Sequence, residues 1–453
     1  MRRPRTRATL LQDHDLIEAP RRIFGRAACS GRAARSGRTG RVGPAAAVGL
    51  AALLGSLGLG REVGAADCTT VRNPVYVAGS TAAKPILAQV ARFMVAQTPP
   101  VTIVYSGLGS CAGVDAILNG TALHGSGATG LSTWDATGAE SKCDLPTPAT
   151  TPTSPTSTAS TGTSTPVTAD VGLSDVFATT CFPLPGGLPS NVADFLGPVQ
   201  TMTFVVPKSS PERAISAEAA YYVFGFGAVS GVSPWTDESW ILHRDDQSGT
   251  ERMIAVAIGV DPDRWKGTMT TSSTDLLTHL TSVGTGPQAI GILAADVAQS
   301  NLGVLNILAY QHFGQTCGYY PDRDAGTNEK INVRDGHYAI WGPVHLFTRL
   351  GGAGYPANPA AGDVIGYVTG TKVAPAGLDL VALEAGSHVV PECAMRVRRT
   401  EEVGPMASFA PAGSCGCYFE KVANGSTSCQ VCASANDCPP TSPACSYGYC
   451  ETQ

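Results

Sequence analysis

The chain has 453 residues, of which 43% are hydrophobic and 15% charged, with 52 Gly and 32 Pro; this is enough for a large core, and it excludes wholesale disorder, a coiled coil and a polytopic membrane protein. The formal charge of −5 hides an asymmetry: residues 1–66 carry 12 Arg against 4 acidic residues, and the remainder has 19 basic and 32 acidic side chains, a balance of −13. An acidic body argues against nucleic-acid binding driven by counterion release.

Residues 1–42 are Arg-rich and lack an apolar period. An apolar Gly/Ala/Leu stretch follows from Gly43 to Gly60, then the small-residue run Val63–Ala66. This is the layout of a cleaved export signal, so the mature chain is expected to begin near Asp67 in a periplasmic or secreted setting. The stretch is short for a membrane anchor, and Asp67 ahead of Cys68 disfavours a lipid anchor there.

Residues 75–120 read as strand, helix, strand, helix. Val75 and Val77 lead into Gly79-Ser80-Thr81, and Ile86, Leu87, Val90, Phe93 and Met94 recur at helical spacing. Val101, Ile103 and Tyr105 alternate as a strand, and Val114, Ile117 and Leu118 mark a short helix. Such α/β alternation implies parallel strands with crossover helices. Residues 121–169 break the pattern; Thr147–Thr168 is almost entirely Thr, Ser, Pro and Ala, a composition that cannot bury enough apolar surface to order itself. A disordered surface insertion is expected there, with Cys143 and Cys181 flanking it and closing its base.

Beyond it, 201–207 reads as a strand, 214–228 as helical, 241–257 as strand, turn and helix, 288–310 as strand and helix, and 331–341 as another extended piece. After about residue 400 the regular pattern fades into a tail with seven of the 14 Cys. In an exported chain these read as disulfides, with the odd count outside the presequence leaving one thiol free or paired to a partner. Zinc is the rival reading for Cys429-x-x-Cys432, but no His follows His388 and two knuckles do not form.

Three segments share one grammar: Gly79-Ser80-Thr81, Gly107-Leu108-Gly109-Ser110 and Ser248-Gly249-Thr250 each follow a strand and open a helix. A helix start offers free N–H groups and the positive end of the macrodipole. Ser and Thr add hydroxyls, though each turn alone is also what an ordinary helix cap looks like. Three in one chain, with Arg244 four residues before Ser248, point to a shared anion site.

The runs Ala78–Pro85, Tyr105–Val114, Gly172–Asp175 and Arg244–Thr250, in that order, resemble periplasmic phosphate-binding proteins of the PstS type. Trp235-Thr-Asp, Ala289–Ile292 and Val333–Tyr338 extend the likeness over about residues 73–350. The resemblance implies an α/β, two-lobed type II periplasmic binding protein fold with a hinge crossover, to which this chain adds the disordered insertion and a Cys-rich disulfide tail. The implied units are a presequence (1–66), lobe 1 (67–198, with the insertion at about 121–169), lobe 2 (199–310), a return to lobe 1 (311–400) and the tail (401–453). It further implies that phosphate is held by Thr81, the Ala82 amide, Ser110, Asp175, Arg244, Ser248, Gly249 and Thr250, with Asp246 bracing the Arg. Cys111 after Ser110, Ala82, Lys84 and the long Ser110-to-Asp175 spacer depart from the family pattern.

Chemistry makes sense of those types. Arg forks onto oxyanion oxygens, and amides and hydroxyls add donors without net charge. An ionised Asp175 only accepts, so it can take the proton that phosphate carries and sulfate lacks. Asp175 could equally end a strand, and Arg244 could pair with a neighbouring acid on the surface. His243, His312, His337 and His345 have no metal-ligand spacing, and Tyr221, Tyr222, Phe224 and Phe226 read as core. No nucleophile elbow, Walker loop, zinc-protease helix or dinucleotide fingerprint occurs. The expectation is a non-enzymatic, cofactor-free, monomeric receptor for inorganic phosphate that serves the membrane subunits of an ABC importer. The rival class is a secreted adhesion or interaction protein on the same scaffold.

Overall fold

The computed structural model describes residues 66–147, 166–282, 286–352, 354–374 and 377–452. The expected export signal and most of the Thr/Ser/Pro stretch lie outside these residues. Among the described residues no helix is long and apolar enough to cross a membrane.

The chain opens with β1 (Ala66–Asp67), β2 (Pro74–Gly79), α1 (Lys84–Val95), β3 (Thr102–Ser106) and α2 (Ser110–Leu118). In α1 a Pro stands in the first turn, and Ile86, Leu87, Val90, Ala91 and Met94 form its buried stripe. β4 (Leu131–Trp134) and β5 (Glu140–Asp144) follow as an antiparallel hairpin beside β3. Residues 121–147, assigned from sequence to the disordered insertion, are therefore ordered. Leu131, Trp134, Cys143 and Leu145 are buried there, and a disulfide joins Cys143 to Cys68.

After β6 (Val171–Ser174) and the single turn α3 (Ala178–Cys181) comes β7 (Val192–Pro207), the longest strand. Its residues 192–201 pair with a later strand, β14, whereas 202–207 pair with β11 and β12. β7 is thus the crossover, changing partners between Thr201 and Met202. Its residues 198–207 are all buried, which is why the sequence there shows no alternation. Lobe 2 continues with β8 (Ala214–Ser216), α4 (Ala217–Phe226), β9 (Ile241–Arg244), α5 (Gly249–Ile258), β10 (Thr268–Thr270), α6 (Ser273–Thr281), β11 (Ile290–Ala294), α7 (Ala295–Ser300), β12 (Leu305–Ile307) and β13 (Ala309–Gln311). Of the aromatic cluster on α4, Phe224 is buried in the core, but Tyr222 and Phe226 are exposed.

Residues 331–341 were expected to be extended. Instead α8 (Ile331–Arg334) is a helical turn entered through Lys330, whose ammonium is buried against Asp322, Gln299 and Asn328. β14 (Trp341–Arg349) then returns to lobe 1 between β6 and β7. The return comes at Trp341 rather than at 311, because Val333, Tyr338 and Ile340 belong to the lobe 2 core. α9 (Pro359–Val368) packs on lobe 1, and α10 (Leu380–Gly386) precedes the hairpin β15 (Val397–Arg398) and β16 (Ala407–Ser408). α11 (Gly416–Asn424) and the hairpin β17 (Ala444–Ser446) and β18 (Tyr449–Glu451) complete the chain. One sheet runs β1-β5-β4-β3-β2-β6-β14-β7-β11-β9-β10, with β12 also on β7. The result is two α/β lobes that share one sheet, with β7 crossing between them.

The cysteines depart from the expected pairing. Cys143 and Cys181 do not close the insertion; Cys181 bonds Cys111 and so ties α3 to α2. Cys393–Cys415, Cys417–Cys429, Cys432–Cys445 and Cys438–Cys450 follow. Cys317 is disulfide-bonded as well, so no described thiol is free. Cys432, Cys438 and Cys450 cluster because two disulfides are neighbours, and disulfide sulfur is not the thiolate that zinc needs. The tail is also less of an appendage than its composition suggests: Cys415 and Phe419 are part of the lobe 2 core.

Candidate functional site

The three hydroxyl-bearing turns end strands β2, β3 and β9 and start α1, α2 and α5. The first is fixed by Tyr105, whose hydroxyl donates to Ser80 O at 2.6 Å. The second faces the first: a β-carbon on Gly107 would touch Thr81 Cγ2 at 3.3 Å. The third comes from lobe 2 and meets the second directly, with Cys111 N donating to Gln247 O at 3.1 Å.

Asp175, just past β6, stands where they converge. Its Oδ2 accepts from the Ser80 hydroxyl at 2.6 Å and the Ser110 hydroxyl at 3.0 Å, and its own N–H donates to Ser110 Oγ at 3.1 Å. Its Oδ1 is buried without a hydrogen-bond partner. Burial pushes the Asp175 carboxyl above the ordinary range; the Ser80 and Ser110 hydrogen bonds and the charges of His345 and Arg244 oppose that. Gly249 approaches so closely that a β-carbon there would collide with Ser110 Oγ and Asp175 Oδ2. The N-termini of α2 and α5, one from each lobe, thus face one carboxylate.

Arg244 ends β9 and is 3% exposed. Its Nη1 donates to Ser273 Oγ at 2.9 Å and its Nη2 to Thr271 O at 3.2 Å, at the start of α6. Its Nε is buried without a partner. Burial lowers its pKa, against the charges of Asp245, Glu251, Asp175 and Asp275. Asp246 does not brace it. Asp246 is largely exposed and pairs with Arg252, 3.5 Å between Nη2 and Oδ2, because the turn carries its side chain outward while Arg244 points in.

The other positions named from sequence are divided. The amides of Ala82 and Ala83 both donate to Ser80 Oγ, at 3.1 and 3.2 Å. Ser248 caps its own helix by accepting from Glu251 N, and the Thr250 hydroxyl reaches Met202 Sδ at 3.3 Å. The structure therefore brings Ser110, Asp175 and Gly249 together directly, with Arg244 electrostatically coupled to Asp175.

Several residues escaped sequence reasoning. Ser80 grips Asp175, and its place in the first Ser-Thr turn was the available signal. Asp296 opens α7 and accepts from Gln200 Nε2 at 3.1 Å. Burial, helped by the charge of Asp175, pushes its carboxyl up to about 7. Gln200 Oε1 and Thr201 Oγ1, at the hinge point of β7, are buried without partners. Nothing in the local pattern of β7 or α7 marks these three.

No family model matches this chain, and no curated protein matches it. Among solved structures it is similar to a putative phosphate ABC transporter substrate-binding protein with bound phosphate from Clostridium perfringens, at 13% identity and a TM-score of 0.44, covering 70% of this chain and 99% of that one. It is similar to an ABC-type phosphate transport receptor from Vibrio cholerae at 12% and 0.42, covering 70% and 100%. A possible phosphate binding protein from Planctomyces limnophilus follows at 12% and 0.40, covering 71% and 94%.

Proposed function

We propose that this chain is an exported, non-enzymatic receptor that binds inorganic phosphate between its lobes and serves the membrane subunits of an ABC importer as a monomer. The observation that carries the reading is Asp175: a buried carboxylate held on one oxygen by Ser80 and Ser110, with the other oxygen unpartnered, where a helix N-terminus from each lobe converges. Two helix starts favour an anion. The unpartnered Oδ1 favours an anion that brings its own proton, and hydrogen phosphate does so whereas sulfate does not. Arg244, with its unpartnered Nε, supplies the charged donor.

In this reading Thr81, the Ala82 amide, Ser110, Arg244, Ser248, Gly249 and Thr250 donate to the oxyanion, and Asp175 accepts its proton. The Ser80 contacts with Ala82 N and Asp175 Oδ2 exchange for contacts to the ligand. No metal or cofactor takes part. Calorimetric titration of the mature chain, residues 67–453, with phosphate and with sulfate tests the proposal. Binding of phosphate with sulfate excluded is the expected result; binding of neither anion sinks it.

A further inference from the structure

The β15–β16 hairpin hangs from lobe 2. Arg396 N donates to Arg334 O at 3.0 Å, Arg334 Nε donates to Ala394 O at 2.9 Å, and Val397, Val403 and Phe409 pack on the lobe 2 core. Its base is closed by the Cys393–Cys415 disulfide. The loop at its tip carries Glu402 onto lobe 1. There Glu402 Oε2 accepts from Phe177 N at 3.1 Å and from the Thr180 hydroxyl at 3.3 Å.

Phe177 is two residues beyond Asp175, and the α3 turn that starts at Ala178 is tied to α2 by Cys111–Cys181. Glu402 Oε1 is buried without a partner. It faces Gly342 of β14, where a β-carbon would lie 3.1 Å from Oε1 and 3.4 Å from Asp175 O. The missing side chain at 342 is what lets the carboxylate stand directly behind the Asp175 loop.

We infer that Glu402 is a positioning residue for Asp175: borne by lobe 2, it grips the Phe177–Thr180 turn of lobe 1 and latches the cleft in its closed arrangement. The inference rests on the anion-binding reading above. Burial pushes the Glu402 carboxyl up to about 7, against the charges of His345 and Arg399 and its two hydrogen bonds. Where ionised it makes charge-assisted hydrogen bonds to the amide and the hydroxyl, and in either state both bonds break when the lobes part. The latch therefore enriches the closed state before ligand arrives, and apparent affinity rises with that fraction.

The test compares wild type with Glu402→Ala, Glu402→Gln and Thr180→Val in the full mature chain. Phosphate titration, phosphate dissociation by rapid mixing, small-angle scattering of the ligand-free protein and amide exchange at Phe177 are read together. Glu402→Ala is expected to weaken phosphate binding about tenfold, the loss expected for one charged hydrogen bond, with faster dissociation and a larger radius without ligand. Glu402→Gln, whose carbonyl still accepts, should retain most of the affinity. Thr180→Val should lose less than Glu402→Ala and add nothing in the Glu402→Ala background. If Glu402→Ala does not fold, Thr180→Val alone decides.

Unchanged affinity and unchanged radius in the variants that fold overturn the latch. If wild type binds no phosphate, the anion-binding reading falls, and exchange separates the two ideas. A Phe177 amide protected in wild type and released in Glu402→Ala supports the latch, and one unprotected in both overturns it.

Discussion

A β-carbon on Gly249 would lie 2.3 Å from Ser110 Oγ, so the first residue of α5 in one lobe and that of α2 in the other meet without room for a methyl group. Ser110 cannot yield easily, because its oxygen also bonds Asp175 twice. Gly249→Ala should hold the cleft open and weaken phosphate binding by at least about tenfold. Helix propensity favours Ala over Gly by about 1 kcal/mol, so the melting temperature should not fall. Calorimetry and thermal unfolding on one sample check both halves.

Arg244→Ala removes the buried charged donor. A hydrogen bond to a charged group contributes roughly 1.5–3 kcal/mol, so affinity should drop about tenfold to a few-hundredfold. Titration with phosphate measures it; an unaltered affinity would place the guanidinium outside the site.

Asp175→Asn keeps the shape but replaces a pure acceptor with a group that can also donate. The expected outcome is a larger gain in sulfate binding than loss in phosphate binding. Paired titrations with the two anions give the ratio, and a ratio equal to that of wild type would remove the proton-reading role from Asp175.

Asp296 gives a pH signature. Its carboxyl is raised from 3.8 to about 7, so between those values the folded chain keeps a proton that the unfolded chain has released. Its contribution to stability is complete below pH 3.8 and is lost as pH climbs through about 7. Asp296→Asn cannot release that proton. Relative to wild type it should gain stability steadily from about pH 4 to about 7 and level off above, as measured by urea unfolding at four pH values. A difference independent of pH would refute the assignment.

Phe419→Ala tests the tail. Phe419 is 1% exposed within the lobe 2 core and lies under the Arg334 guanidinium, which also pairs with Glu420 at 3.1 Å. Truncating a buried Phe costs about 3–5 kcal/mol, visible in denaturant unfolding. A loss under about 1 kcal/mol would return the tail to the status of an appendage.

What was legible in the sequence was local. The strand-turn-helix units at Gly79, Gly107 and Ser248 announce themselves through hydrophobic period and turn chemistry, and all three fall where expected. Asp175 came from the resemblance of Gly172–Asp175 to the phosphate-binding family, since ending a strand is by itself equally what a structural Asp does. The misses are long-range. Asp246 and Arg244 are adjacent enough in sequence to suggest a pair, but the turn between β9 and α5 sends them to opposite sides. Residues 121–147 look polar because β4 and β5 lie near one edge of the sheet, and the apolar residues buried in this stretch, such as Leu123, Leu131, Trp134, Cys143 and Leu145, are widely spaced in sequence. Glu402 and Phe419 lie in a stretch whose Cys content hides its packing, and their partners Phe177 and Arg334 are 225 and 85 residues away along the chain. No periodicity reports a contact of that range.

Val390 exchanges both backbone hydrogen bonds with Val199, at 3.0 and 2.7 Å. That is two residues ahead of the point where β7 changes partners between the lobes. Three residues further on, Cys393 begins the series of disulfides that closes the tail into short loops. Loops closed in this way cannot lengthen under tension. A pull on the carboxyl end is therefore passed up the chain with little slack and is shared between the lobe 2 core, through Phe419 and Arg334, and the hinge strand β7, through Val390. The tail is mechanically coupled to the joint on which the lobes turn.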